Sequence, residues 1–226
     1  MQLTLPLAQT RRLLLALWFT FVIAGAASEF LPFILRLEET PDWVGILSLS
    51  YEDNIPTWYS SFVLSACGVV LACIALRPPA ERQGHGFHWT LLCAGFFYIS
   101  LDESASYHEH LSLFFKGTRG VLYFGWVIPA GILVALLGVV FLKFLAVLPK
   151  AVRWRFVTAG FIYVTGALLM ELPLGWWVDH AGREARLGYV LIDWVQESME
   201  LLGSTLFLIS LLRYFDERPG QSSTPS

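Results

Sequence analysis

Apolar residues gather along the chain in blocks of about twenty that hold no lysine or arginine, and short charged stretches separate the blocks. A hydrocarbon core about 30 Å thick takes roughly 20 mostly apolar residues per helix. Six windows have that length: Leu13–Leu35, Thr57–Leu76, Trp89–Leu111, Leu122–Leu142, Phe156–Val178 and Tyr189–Leu212. The pattern predicts an all-α polytopic membrane protein. Six transmembrane helices form one bundle over residues 1–218, and a Ser-, Pro- and Gly-rich tail over 219–226 is expected to be disordered in the cytoplasm.

Composition agrees with this pattern. Only 15% of the residues are charged, against roughly 25% in a soluble domain, and mean hydropathy is +0.60. A soluble enzyme, a nucleic-acid binder and a disulfide-stapled secreted domain are excluded. Cys67, Cys73 and Cys93 all fall inside predicted spans, where they read as small buried hydrophobes without a disulfide partner.

The net charge of −3 matters less than where the charges lie. Ten basic residues (Arg11, Arg12, Arg77, Arg82, Lys143, Lys150, Arg153, Arg155, Arg213 and Arg218) fall on one side of the predicted spans. Five (Arg36, Lys116, Arg119, Arg183 and Arg186) fall on the other. The excess of Lys and Arg marks the cytoplasmic side, so both termini are expected there, in a bacterial-type inner membrane. Arg11-Arg12, the apolar run and the small residues at Ala24–Ser28 imitate a signal peptide. The apolar run resumes at once from Phe30, and a retained first helix is expected.

Depth gives the acidic residues their interest. At about 1.5 Å per residue, Glu29 lies about 24 Å across from Leu13, and Asp102 and Glu103 about 20 Å from Trp89. Glu171 lies about 22 Å from Phe156, while Asp193, Glu197 and Glu200 sit about 6, 12 and 16 Å deep on the returning sixth span. Seven carboxylates thus converge on the outer half of the bilayer, and no span supplies a Lys or Arg to neutralise them. An ionised carboxylate at a helix centre costs about 2.5–3.5 kcal/mol on the mild insertion scale. Bound cations, protonation, Arg folding in from outer loops, or a water-filled cavity would relieve that cost. At 100° per residue Asp193, Glu197 and Glu200 form one stripe, expected to face the bundle interior. Asp102 and Glu109 share a face of the third span, as do Glu103 and His110.

Carboxylate and imidazole together suit zinc, iron or manganese. Glu103, Glu109, Glu171, Asp193, Glu197 and Glu200 are the candidate ligands, and Asp102, Glu103 and His108 the candidate acid–base groups. The spacing matches neither HExxH nor the paired Glu-x-x-His of di-iron bundles. His85 and His88 lie on the cytoplasmic side, leaving His108, His110 and His180 as the histidines within reach. Ser104 and His108, at i and i+4, have nucleophile–base spacing. No Lys lies mid-membrane for a retinal Schiff base, and no two His sit at matched depth for a haem. Trp58-Tyr59 and Trp176-Trp177 read as interfacial belt residues.

Three segments carry a resemblance: Asn54-Ile55-Pro56-Thr57-Trp58-Tyr59-Ser60-Ser61, then Ser100-Leu101-Asp102-Glu103 with His108-Glu109, then Glu197-x-x-Glu200-Leu201-Leu202-Gly203. On these the chain resembles a family of bacterial multipass membrane proteins without an assigned function, over the second to sixth helices. A looser likeness is to alkaline ceramidase-like membrane hydrolases. It rests on Glu52-Asp53-Asn54 before a helix carrying Ser60, Ser61 and Ser65, and on Leu101-Asp102-Glu103. Those enzymes hold zinc through histidines, including an HxxxH pair on the last of seven helices. The corresponding place here reads Glu197-Ser198-Met199-Glu200, so the likeness brings no ligand with it.

Three functions follow from these residues. The first is a metal-dependent membrane enzyme acting on a lipid or amphiphile, and the second an accessory subunit whose acids meet a protein partner's basic residues. The third is a proton- or cation-coupled transporter. Membrane lipids are the expected partners, and nucleic acid is not.

Overall fold

A computed structural model describes residues 6–37, 41–79, 84–112, 114–115, 117–182 and 186–217. Within them the chain is helical and no strand occurs. Glu38, Glu39, Arg82, Lys116, Arg183, Arg218 and the tail from 219 lie outside the described residues, as do the side chains of Glu109 and Arg186.

The long helices are α1 (Leu7–Ile34), α3 (Ile55–Ala75), α4 (Gly86–Ala105), α6 (Val127–Val147), α7 (Lys150–Val164) continuing into α8 (Glu171–Ala181), and α9 (Arg186–Asp216). Short helices α2 (Asp42–Leu47) and α5 (Tyr107–Ser112) lie between them. Five of these segments are long and apolar enough to cross a membrane: α1, α3, α6, the α7–α8 run and α9. The expected third span departs from this set. Its helix stops at Ala105, six residues short of Leu111, and Ser100, Asp102, Glu103 and Ser104 dilute its apolar character. The fourth helix begins at Val127 rather than Leu122, because a 3-10 turn at Gly120–Leu122 intervenes and Pro129 suits only a first helical turn.

Close pairs hold the bundle together. α3 and α4 run antiparallel along a serine seam: Ser61 Oγ lies 2.7 Å from Ser104 Oγ, and Ser65 Oγ 2.7 Å from Ser100 Oγ. Small hydroxyl residues let two apolar helices approach closely and bond across the gap. The Cys93 thiol extends the seam by donating to the Gly68 carbonyl. Two indoles clasp α1 to α9, with Trp18 Nε1 donating to the Ser198 carbonyl and Trp194 Nε1 to that of Val22. These antiparallel contacts place the start of α1 and the end of α9 at the same end of the bundle.

That end is filled by an aromatic core. Trp89, Phe144 and Leu211 are fully buried, with Phe156, Phe207 and Tyr214 around them. Cys67 is buried here, Cys73 is exposed and all three thiols are free. The α7–α8 run changes pitch at Thr165–Leu169, a π-helical turn. Pro173 explains it. Proline cannot donate to the carbonyl four residues back, that of Leu169, and its ring crowds that oxygen. One wide turn relieves the conflict.

At the other end Asn54 starts α3. Its Oδ1 accepts from Thr57 N, while Nδ2 donates to the carbonyls of Gly45, Ser48 and Tyr51. With Pro56 in the first turn, the Asn54-Ile55-Pro56-Thr57 segment is a helix N-terminus that also ties down the preceding loop. Asn54→Ala is expected to cost about 1–2 kcal/mol, read as a lower melting temperature of the detergent-purified protein, while Asn54→Asp keeps the cap and loses the loop bonds.

Candidate functional site

The end of the bundle opposite the aromatic core is hollow. A cavity of about 680 Å³ is lined by Asp102 and Glu103 from α4, Glu171 from α8, and Asp193, Glu197 and Glu200 from α9. Six of the seven deep carboxylates therefore share one space, and the stripe of the last helix faces it. Glu29 is the exception. It is 5% exposed and does not line the cavity; its Oε1 instead accepts from Ser48 Oγ, Leu49 N, Ser50 N and Ser50 Oγ.

Local geometry places each acid. α4 stops because Ser106 adopts a left-handed conformation (φ 52°), and the chain turns back on the last helical turn. This conformation is costly for a residue with a Cβ, and the Ser106 hydroxyl, which donates to the Glu52 carboxylate, helps hold it. The reversal brings His108 onto Asp102. One Asp102 oxygen accepts from His108 N at 2.9 Å, and the other lies 3.0 Å from His108 Nδ1. The ring also lies 5.0 Å from that of Trp126. His108 lies beyond the end of α4. Its burial disfavours the imidazolium, but the hydrogen bond and charge of Asp102, with Glu52 and Glu171 behind, outweigh this and raise its pKa.

The nucleophile–base spacing of Ser104 and His108 is not realised as a pair, since Ser104 bonds Ser61 while His108 bonds Asp102. The shared face expected for Glu103 with His110 fails because the helix breaks between them at Ser106, and the side chain of Glu109, expected to share a face with Asp102, lies outside the described residues. His110 and His180 each place Nδ1 on a carbonyl of their own helix turn, those of Ser106 and Trp176, and neither lines the cavity.

Glu200 owes its position to a close helix crossing. A Cβ at Gly166, in the π turn, would lie 2.8 Å from Glu200 Cγ and 2.9 Å from Glu200 N. Only glycine allows that approach. Gln196, missed from the sequence, bridges the helices by donating from Nε2 to Glu171 Oε1 at 3.1 Å. The i, i+3, i+4, i+7 spacing of Asp193, Gln196, Glu197 and Glu200 was the signal that could have found it.

Among the described residues, no three His, Cys, Asp or Glu side chains come together in a way that could hold a metal ion. Of the expected zinc, iron or manganese ligands, Glu103, Glu171, Asp193, Glu197 and Glu200 line the cavity without forming such a group. Among the described residues, no Lys or Arg forms an ion pair with Glu103, Glu197 or Glu200 either. Elsewhere the wall carries Glu52, Thr57, Thr118 and Gln196 beside an apolar and aromatic side that includes Tyr123, Phe124, Trp126 and Val134. Such a space suits a cation carried by an organic group, held by carboxylates on one side and ring faces on the other.

No curated protein and no solved structure matches the chain. Residues 7–215 match the model of one family, and the chain belongs to that family, described as a domain of unknown function (DUF8692).

Proposed function

We propose that this is a six-span integral membrane protein whose acidic cavity binds an organic cation in the outer half of the bilayer. α4 is the sixth span, carried by its seam with α3. Both termini are cytoplasmic, by the ten-to-five split of basic residues. One observation carries the reading: six carboxylates from three helices line one cavity of about 680 Å³. Carboxylates at that depth are tolerated when a positive group offsets their charge. An ammonium needs only a few oxygens at hydrogen-bonding distance, whereas a metal ion needs three or four converging on one point.

The Asp102–His108 pair gives the cavity an oriented imidazole, the arrangement that serves a general acid or base. It supports an enzymatic role on the bound cation. The aromatic core at the far end supports a one-sided site over a conducting path, because a transporter needs polar groups through both halves.

The test is calorimetry on the protein in lipid nanodiscs, titrated with butylammonium and separately with Mn²⁺ and Zn²⁺. Saturable butylammonium binding is expected, weakened about tenfold, equivalent to about 1.4 kcal/mol, in Glu200→Gln. That variant should melt no lower than the parent, since it relieves like-charge repulsion. Absence of saturable ammonium binding, or equal binding by the variant, overturns the reading. Stoichiometric metal binding that Glu200→Gln abolishes would overturn it in favour of a metal centre.

A further inference from the structure

We infer that the cavity opens sideways into the bilayer between α4 and α6, and that its ligand is a membrane-borne amphiphile, an ammonium headgroup on a long alkyl chain, entering through that slot. The inference rests on the cation-binding reading and adds the route and the chain.

The two helices meet at one end only. In the aromatic core the Phe144 ring lies 5.2 Å from His88 and 4.9 Å from Trp89, and Phe141 lies 5.6 Å from His88. Beyond this end α4 and α6 do not pack along their lengths, and α6 leans on the π turn, where a Cβ at Gly131 would meet Leu168 at 3.8 Å. α6 is the most apolar of the spanning segments and also the least buried. A slot therefore lies between this end and the His108–Trp126 ring contact of 5.0 Å at the cavity end, and residues of both helices line the cavity there: Ile99 on α4, Ala130 and Val134 on α6.

Polarity along the slot follows the same axis. Ile99 lies one turn deeper in the bilayer than Asp102 and Glu103, about 4.5 and 6 Å by helix rise. Val134 lies one turn deeper than Ala130, about 6 Å. On α4 the acids therefore sit outward of the apolar slot walls, while Glu200 on α9, about 16 Å deep, lies level with those walls across the cavity, so an amphiphile's head can meet the acids with its chain in the slot. A soluble cation has no use for the apolar extension. A chain does.

The experiment compares dodecylammonium, corrected for partition into protein-free discs, with butylammonium on the protein in phosphatidylcholine nanodiscs. Ala130→Trp and Val134→Trp fill the slot. Gly138→Trp places the same bulk on α6 where a Cβ meets nothing within 4 Å. Expected for the two slot variants is a loss of dodecylammonium affinity about tenfold or more larger than any loss of butylammonium affinity, with Gly138→Trp like the parent. Ile99→Trp on the facing wall repeats the test where an α6 variant fails to fold.

Unchanged dodecylammonium affinity in the slot variants overturns the inference. An equal loss of both probes also overturns it, because the blockade would then be of the cavity itself. A parent protein that binds butylammonium but gains nothing from the longer chain leaves the site standing and overturns the slot. One that binds neither overturns both. A change of oligomeric mass by native mass spectrometry without a change in chain affinity would assign this face of α6 to a second copy or a partner, and overturn the inference as well.

Discussion

Glu29→Ala is expected to lower the unfolding free energy by about 3–4 kcal/mol, the largest loss at the cavity end of the bundle. One carboxylate oxygen accepts four hydrogen bonds, from the Ser48 and Ser50 hydroxyls and the amides of Leu49 and Ser50. Ser48 is 1% exposed, so its hydroxyl would lose its acceptor in a place water does not reach. A hydrogen bond to a charged group contributes about 1.5–3 kcal/mol, and four on one oxygen share that acceptor rather than add in full. One turn before Glu29, a Cβ at Gly25 would lie 2.6 Å from Leu49 Cγ, so the same loop also packs on α1 through that residue. Chemical denaturation in detergent should separate Glu29→Ala from Glu29→Gln, which keeps an acceptor oxygen and should lose about half as much. Near-parent stability of the alanine variant would show that the loop is held by Asn54 alone.

Gly203→Val is expected to cost about 3 kcal/mol, at the upper end for overpacking, and Gly203→Ala somewhat less. A Cβ there would lie 2.5 Å from Tyr163 N and 2.7 Å from Tyr163 Cα, which are backbone atoms with no rotamer to change. α7 and α9 would have to separate. Their separation would displace Tyr163 and Glu200, both of which line the cavity. The variant should therefore lose cation affinity along with thermal stability, whereas Asn54→Ala should lose stability alone. A Gly203→Ala protein that melts like the parent would show that the crossing has slack and that glycine is not what sets Glu200 in the wall.

Helical phase and depth predicted the shared cavity because both follow from distance along a regular helix. Asp193, Glu197 and Glu200 lie within one unbroken helix, so 100° per residue projects them correctly. The same arithmetic failed for His110. The left-handed residue at Ser106 separates it from Glu103, and a serine after a polar run is a weak sign of that conformation. Pro173 was visible in the sequence, but the π turn it produces depends on the neighbouring helix leaving room for a wider turn.

From sequence alone came the helical class, the long apolar segments and the layer of acids, since hydrophobic length and charge placement answer to the bilayer and not to any partner helix. Tertiary structure decided which acids face one another. It sent Glu29 to a loop and Asp102 to His108, and it brought Gln196 to Glu171 across a glycine crossing. Those pairings join residues up to 25 positions apart through packing at contact distance, and no local rule of spacing carries that information.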